Sequence, residues 1–171
     1  MKDVLKQISQ LAIRLNEPTL SITEQQKNLE WLGTTPATKE EIKSAEIKSG
    51  VAFPDDYKNF LIITNGFASP IDVEPTFEKV SDINLLKNID PHLVKVWNEG
   101  PLPDEAKKLS RSVVIAGINE EQYFLLIPPA SAKEGWEYWK FANWIPGEEP
   151  YENLQSYFAS VLQFLAKEIE H

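Results

Sequence analysis

Cysteine is absent from the 171 residues, which excludes a disulfide framework and thiolate metal ligation. Histidine is nearly absent: the two present are His92 and His171, and His171 is the final residue. A His-rich metal centre or a Ser-His-Asp triad would have to rest on His92 alone. That residue follows Pro91 at what reads as a helix start, where a solvated imidazole is the simpler expectation. Glycine is scarce at seven residues, with no phosphate-cradling Gly-rich loop and no His-Glu zinc motif. No apolar stretch approaches the roughly 18–20 residues that cross a bilayer. The opening run MKDVLKQISQLAIRL lacks the apolar block and small-residue cleavage site of a signal peptide. These absences lead to the expectation of a cytoplasmic protein without metal, cofactor, catalytic centre or membrane association.

Positive charge is also short. Against 26 Asp and Glu there are 17 Lys and Arg, a formal net charge of −9. Such a chain repels nucleic acid, whose phosphates need clustered cations, and attracts basic partners. Acidity also keeps cytosolic proteins soluble, so two readings of the charge stay open. The acidic pairs Glu120-Glu121 and Glu148-Glu149 fall in predicted turns. Solvated charge explains them better than a glycosidase-like dyad. Carboxylates distant in sequence can meet in space, however, and an enzyme using carboxylates stays as the least favoured alternative.

What is present is structural patterning. Val4, Leu5, Ile8, Leu11, Ala12 and Leu15 recur at helical spacing, with Pro18 as the stop. Thr23 can cap a second helix carrying Leu29 and Leu32, ended by Gly33. Thr38 and Glu41 form a capping box for a third, which Gly50 ends. Pro54 suits the first turn of a fourth, with Asp55 and Asp56 at the positive end of its dipole and Tyr57, Phe60 and Leu61 on its buried face. Asn65-Gly66 ends that helix. Residues 67–79 read as an irregular loop, extended near Ile71 and Val73. Val80 to Leu86 suits a strand or a short helix, Pro91 starts a brief helix, and residues 98–104 read as a loop.

The β-branched run Val113-Val114-Ile115 opens a strand. Residues 117–122 make a turn, and the unbroken apolarity of Tyr123 to Ile127 predicts a central strand buried on both faces. Trp136 to Trp144 is the third strand, Pro146-Gly147 a turn, and Leu154, Tyr157, Phe158, Val161, Leu162, Leu165 and Ile169 mark a closing amphipathic helix. Trp136, Trp139 and Trp144 suit packing, or an interface, better than nucleobase stacking, since no basic surround accompanies them. Helices first, strands later and a final helix predict one α+β domain over residues 1–171. Its twisted, mainly antiparallel sheet should be flanked by the N-terminal helices and the closing helix.

These motifs, in this order, resemble the SUKH superfamily, in its first branch. Thr38, Glu40, Glu41, Ile42, Glu46, Gly50, Phe53, Pro54, Tyr57, Phe60, Leu61, Asn65 and Gly66 match its signature. Trp31-Leu32-Gly33, Asp90-Pro91, Leu93-Val94, Trp97, Leu125-Leu126, Pro128, Trp136-Glu137, Trp139, Phe141-Ala142-Asn143-Trp144 and Pro146-Gly147 look like a bacterial subgroup. The likeness covers about residues 31–165 and leaves residues 1–30 as a helical N-terminal extension. Ile127 stands where the subgroup often has Asn, and residues 117–122 lack the Gly/Asp-rich turn common in the family.

The resemblance implies a non-enzymatic protein-binding domain. In bacterial relatives that is an immunity protein neutralising a toxin; in fungal ones, a scaffold or regulator of cell-wall synthesis and signalling. Combined with the acidity, it points to a basic toxin domain as partner. The expected contacts are two irregular, Pro-containing loops, one bearing Asp72, Glu74 and Glu78, the other Glu99, Asp104 and Glu105. A self-complementary patch has no sequence signature here, so the oligomeric state is unknown from the sequence and monomer is the default.

Overall fold

Caps that are legible in the sequence set the helices. The computed structural model describes residues 1–142 and 148–170. Helix α1 (Lys2–Leu15) ends on Asn16 in the left-handed region, with Pro18 just beyond. Helix α2 (Glu24–Leu29) starts at a reciprocal capping box between Thr23 and Gln26. It stops at Glu30 (φ 49°), earlier than the expected Gly33, so Leu32 lies beyond the helix and is buried as a core residue. Helix α3 (Lys39–Ser49) has the Thr38–Glu41 box and ends at Gly50 (φ 70°). Helix α4 (Asp55–Ile63) follows Pro54 and buries Tyr57, Phe60 and Leu61.

The segment 80–112 is more helical than the sequence suggests. Both readings of its start are realised, as strand β1 (Asn84–Leu85) runs directly into helix α5 (Leu86–Ile89). Helix α6 (Pro91–Asn98) is capped by Asp90, which accepts from the Leu93 N–H at 2.9 Å. Asp104 is not in a loop. It opens helix α7 (Pro103–Arg111), with Asp104 and Glu105 in the first turn and Lys108 and Arg111 in the last, complementing the helix dipole.

Strands β2 (Val113–Ala116), β3 (Gln122–Ile127), β4 (Glu137–Ala142) and β5 (Glu148–Tyr151) complete the sheet, and helix α8 (Leu154–Glu170) closes the chain. The order is β1-β2-β3-β4-β5, all neighbours antiparallel. Glu148-Glu149 is thus strand rather than turn. Pro150 is tolerated in β5 because that strand has β4 on one side and ends the order. Asn143, Trp144 and the Pro146-Gly147 turn lie outside the described residues.

Strand β3 is central, and side-chain alternation divides its apolar residues between two cores. Phe124 and Leu126 join Val113, Ile115, Phe60, Phe77, Tyr157 and Phe158 on the face covered by α1, α3, α4 and α8. Leu125 and Ile127 join Val114, Trp139, Phe141, Leu86, Val94 and Leu109 on the face covered by α5, α6 and α7. Burial on both faces is why no polar alternation marks this strand. Trp139, 3 % exposed, is packing, with the Lys108 ammonium 5.1 Å from its ring centroid.

The loop of residues 67–79 is docked onto the sheet. Its extended points are Phe67 and Phe77, not Ile71 and Val73. Phe67 and Phe77 exchange backbone hydrogen bonds, and Phe77 bridges to Ala116 at the end of β2. Between them, the Glu74 N–H donates to the Ile71 carbonyl to form a turn. Asp56 ties the layers together, accepting from the Tyr138 hydroxyl and from the Leu154 N–H at the start of α8.

Candidate functional site

The β2–β3 turn, residues 117–121, projects from one end of the sheet and carries Glu120 and Glu121. Gly117 makes it possible. Its φ is +83°, and a Cβ there would lie 1.8 Å from the Gln122 carbonyl oxygen. The turn is braced against the docked loop. Gly117 N–H donates to the Thr76 carbonyl, Glu120 Oε2 accepts from the Thr76 N–H at 3.0 Å, and Glu78 Oε1 accepts from the Ile118 N–H at 2.9 Å.

Two concavities meet at this turn. On the α8 face lies a hollow of about 360 Å³, walled by Thr19, Leu20 and Ser21, by Ser69, Asp72, Glu74 and Thr76, and by Glu120, Glu121 and Gln122. On the α6 face lies a groove of about 310 Å³, bounded by Asp90, His92, Leu93, Val96, Tyr123 and Phe141 and again by Glu120 and Glu121. Val96 continues the groove into a small apolar cleft of about 200 Å³ with Trp97, Pro101 and Leu102. Neither concavity has a lysine or arginine in its lining. Val96 and Leu102 are half exposed, at 50 % and 47 %, while Trp97 packs edge-on to Phe141.

The expected contact residues fall into three settings. Asp72 is exposed at the mouth of the hollow. Glu74, expected to be exposed, is 9 % exposed. Its Oε1 pairs with Lys140 at 2.8 Å and its Oε2 accepts from the Tyr157 hydroxyl at 2.7 Å. Sequence places it among loop charges, but the turn at Ile71 folds it inward over β4, where it meets a lysine on the same sheet face. Burial, followed by the Glu74 carboxylate, pushes the Tyr157 phenol well above its ordinary range.

Glu78 is half-buried beneath the turn. The other cluster lies at the far end of the apolar cleft. Glu99 caps α6 and pairs with Lys95 at 3.9 Å, and Asp104 pairs with Lys107 at 3.1 Å. Such exposed pairs contribute little to stability. Glu105 is half-buried in the first turn of α7. The structure therefore brings Asp72, Glu74 and Glu78 together around one turn and leaves Glu99, Asp104 and Glu105 apart on α6 and α7. Thr19, Ser21 and Gln122, not singled out from the sequence, complete the hollow with Glu120 and Glu121, which read from the sequence as solvated turn charge. Gln122, read as the last residue of the turn, is instead the first residue of β3.

Desolvation pushes the Glu78 carboxyl above its usual range. The Ile118 N–H opposes that rise, while Glu120 and Asp82 add to it. A carboxyl raised in the folded state contributes stability that is present below its unfolded pKa and lost as pH rises through the folded value. Glu78→Gln, which keeps an acceptor for Ile118, should therefore raise stability at neutral pH, and the gain should shrink as pH falls through the raised folded value and be gone below the ordinary glutamate range. Urea midpoints across pH read this, and a variant less stable at neutral pH would refute it.

The arrangement is suited to binding positive charge. Among the described residues no group of three His, Asp or Glu side chains could hold a metal ion. His92 is exposed on α6. No helix among the described residues is long and apolar enough to cross a membrane.

The comparison that decides the affiliation is with family profiles: the SMI1 / KNR4 family (SUKH-1) matches residues 36–167. The chain belongs to the SMI1 / KNR4 family. That match spans α3 to most of α8 and leaves α1, α2 and the loop with Thr19–Ser21 outside it. Domains of the SMI1 / KNR4 family are generally non-enzymatic. A comparison with curated proteins finds no match.

Proposed function

We propose that this SUKH-1 domain is a bacterial immunity protein that binds a basic toxin domain through the end of the sheet centred on Glu120 and Glu121. The observation that carries the reading is the meeting of two concavities, free of lysine and arginine in their linings, at one acidic turn. The net charge of −9 gives a field that speeds encounter with a cationic partner. Half-exposed Val96 and Leu102 supply apolar area beside it, the composition of an interface centre with a charged rim. The site sits on a braced turn rather than a loose loop, so little ordering cost opposes binding.

Reading the neighbouring genes, and co-expression with any toxin they encode, tests the reading. Protection by the parent chain, lost in Asp72→Lys/Glu121→Lys while the variant stays folded, is the expected result. A toxic neighbour against which the parent chain gives no protection would overturn it. So would a gene neighbourhood of cell-wall or signalling components and no toxin, which would favour the scaffold role.

A further inference from the structure

The hollow on the α8 face contains one feature that packing does not explain. Gln122 is 4 % exposed and lines the hollow, yet its carboxamide forms no hydrogen bond with any described residue. Its polar atoms are not sealed from solvent, so the amide opens to the hollow with its hydrogen-bonding capacity free for a ligand. Gln122 shares a sheet face with Phe124, and Lys140 stands opposite Phe124 on β4. Glu74, which lines the hollow, is already paired with Lys140.

The remaining acceptors are unspent. Asp72 and Glu121 are exposed and form no ion pair among the described residues, and Glu120 uses only Oε2, on Thr76. Ser69 already donates to the Ile71 carbonyl, while the Thr19 and Ser21 hydroxyls on the opposite wall make no hydrogen bond to a described residue. These acceptors are spread around about 360 Å³ rather than converging on a point. That suits a planar cation with several donors in a fork better than a compact ammonium with three.

We propose that this hollow receives an arginine side chain of the partner: its guanidinium would meet Asp72, Glu120 and Glu121, and the Gln122 carbonyl oxygen would accept from it. The proposal rests on the reading of this end of the molecule as the partner surface, and it adds a recognition chemistry to it. It also gives the N-terminal extension a role. Thr19, Leu20 and Ser21 lie outside the family-matched residues, so one wall of the hollow comes from outside that segment and would contribute to the choice of partner.

The test uses the full chain, ¹⁵N-labelled, titrated with N-acetyl-arginine methylamide and with its citrulline and lysine counterparts. The arginine compound should shift the Gln122 side-chain NH2 resonance and the Glu120 and Glu121 amides. Citrulline, of the same shape without charge, should not shift them, and lysine should bind more weakly. Asp72→Asn/Glu121→Gln, both at exposed positions, should weaken the arginine effect by at least about tenfold, the loss of a charge-assisted hydrogen bond. Gln122→Met should weaken it while leaving the amide spectrum of the core in place. An unmoved Gln122 resonance, equal shifts with citrulline, or lysine binding as tightly as arginine would overturn the assignment. Failure here with toxin protection intact removes the arginine pocket but not the immunity reading. Arginine binding without protection removes the immunity reading but not the pocket.

Discussion

Lys140→Met should cost about 3–5 kcal/mol of folding stability, the usual result of removing one partner from a buried ion pair. The Lys140 side chain is 11 % exposed and the Glu74 side chain 10 %. Removing the ammonium leaves a carboxylate in the core with the Tyr157 hydroxyl as its remaining side-chain partner. The damage should spread, because Tyr157 packs against Phe77, Phe124, Tyr151 and Phe158. Glu74→Gln in the same chain should restore most of the loss, since a neutral amide can still accept from Tyr157 and carries no charge to solvate. The expected double-mutant cycle therefore shows strong coupling in urea denaturation. A Lys140→Met chain within about 1 kcal/mol of the parent, the range of an exposed pair, would mean that the pair is solvated.

Gly117→Ala is expected to cost about 2–4 kcal/mol, combining left-handed backbone strain with an overpacked contact. The obstacle is the carbonyl of Gln122, a backbone atom that cannot swing aside like a side-chain tip. The turn would have to reopen, releasing the Gly117–Thr76 bond and moving Glu120 off the docked loop, with Glu121 displaced beside it. The variant should thus lose stability and displace the Glu120 and Glu121 amide resonances together. Unchanged stability would show that the turn adopts another conformation in solution.

Much of the fold is legible because local chemistry decides it. The Thr38–Glu41 box, Gly50 and Pro54 each satisfy or release helix-end groups within a few residues, so no distant contact overrides them. The two-sided burial of β3 follows from its unbroken apolarity. Helix α7 is missed for a physical reason: it buries just Ala106 and Leu109, too short a stripe to stand out, and Pro101 and Pro103 imitate a loop. Pro103 is in fact at the helix start, where its missing N–H costs nothing.

The site is less legible because it is assembled from remote pieces. Acidity at Asp72 and Glu121 can be read from the chain. Their meeting across the hollow depends on how the segment 67–79 docks onto β2. Glu74 shows the limit clearly, as its neighbours in sequence are loop residues while its partners, Lys140 and Tyr157, are more than sixty residues away.

The proposal that the acidic turn draws in and holds a basic protein partner is tested most directly by association kinetics at low and high salt with a basic toxin domain, if one is encoded beside the gene. The parent chain should associate quickly at low salt and slow as salt rises. Asp72→Lys/Glu121→Lys should associate slowly at low salt and lose most of that salt dependence. A folded double variant that binds as fast as the parent, with the same response to salt, would contradict it.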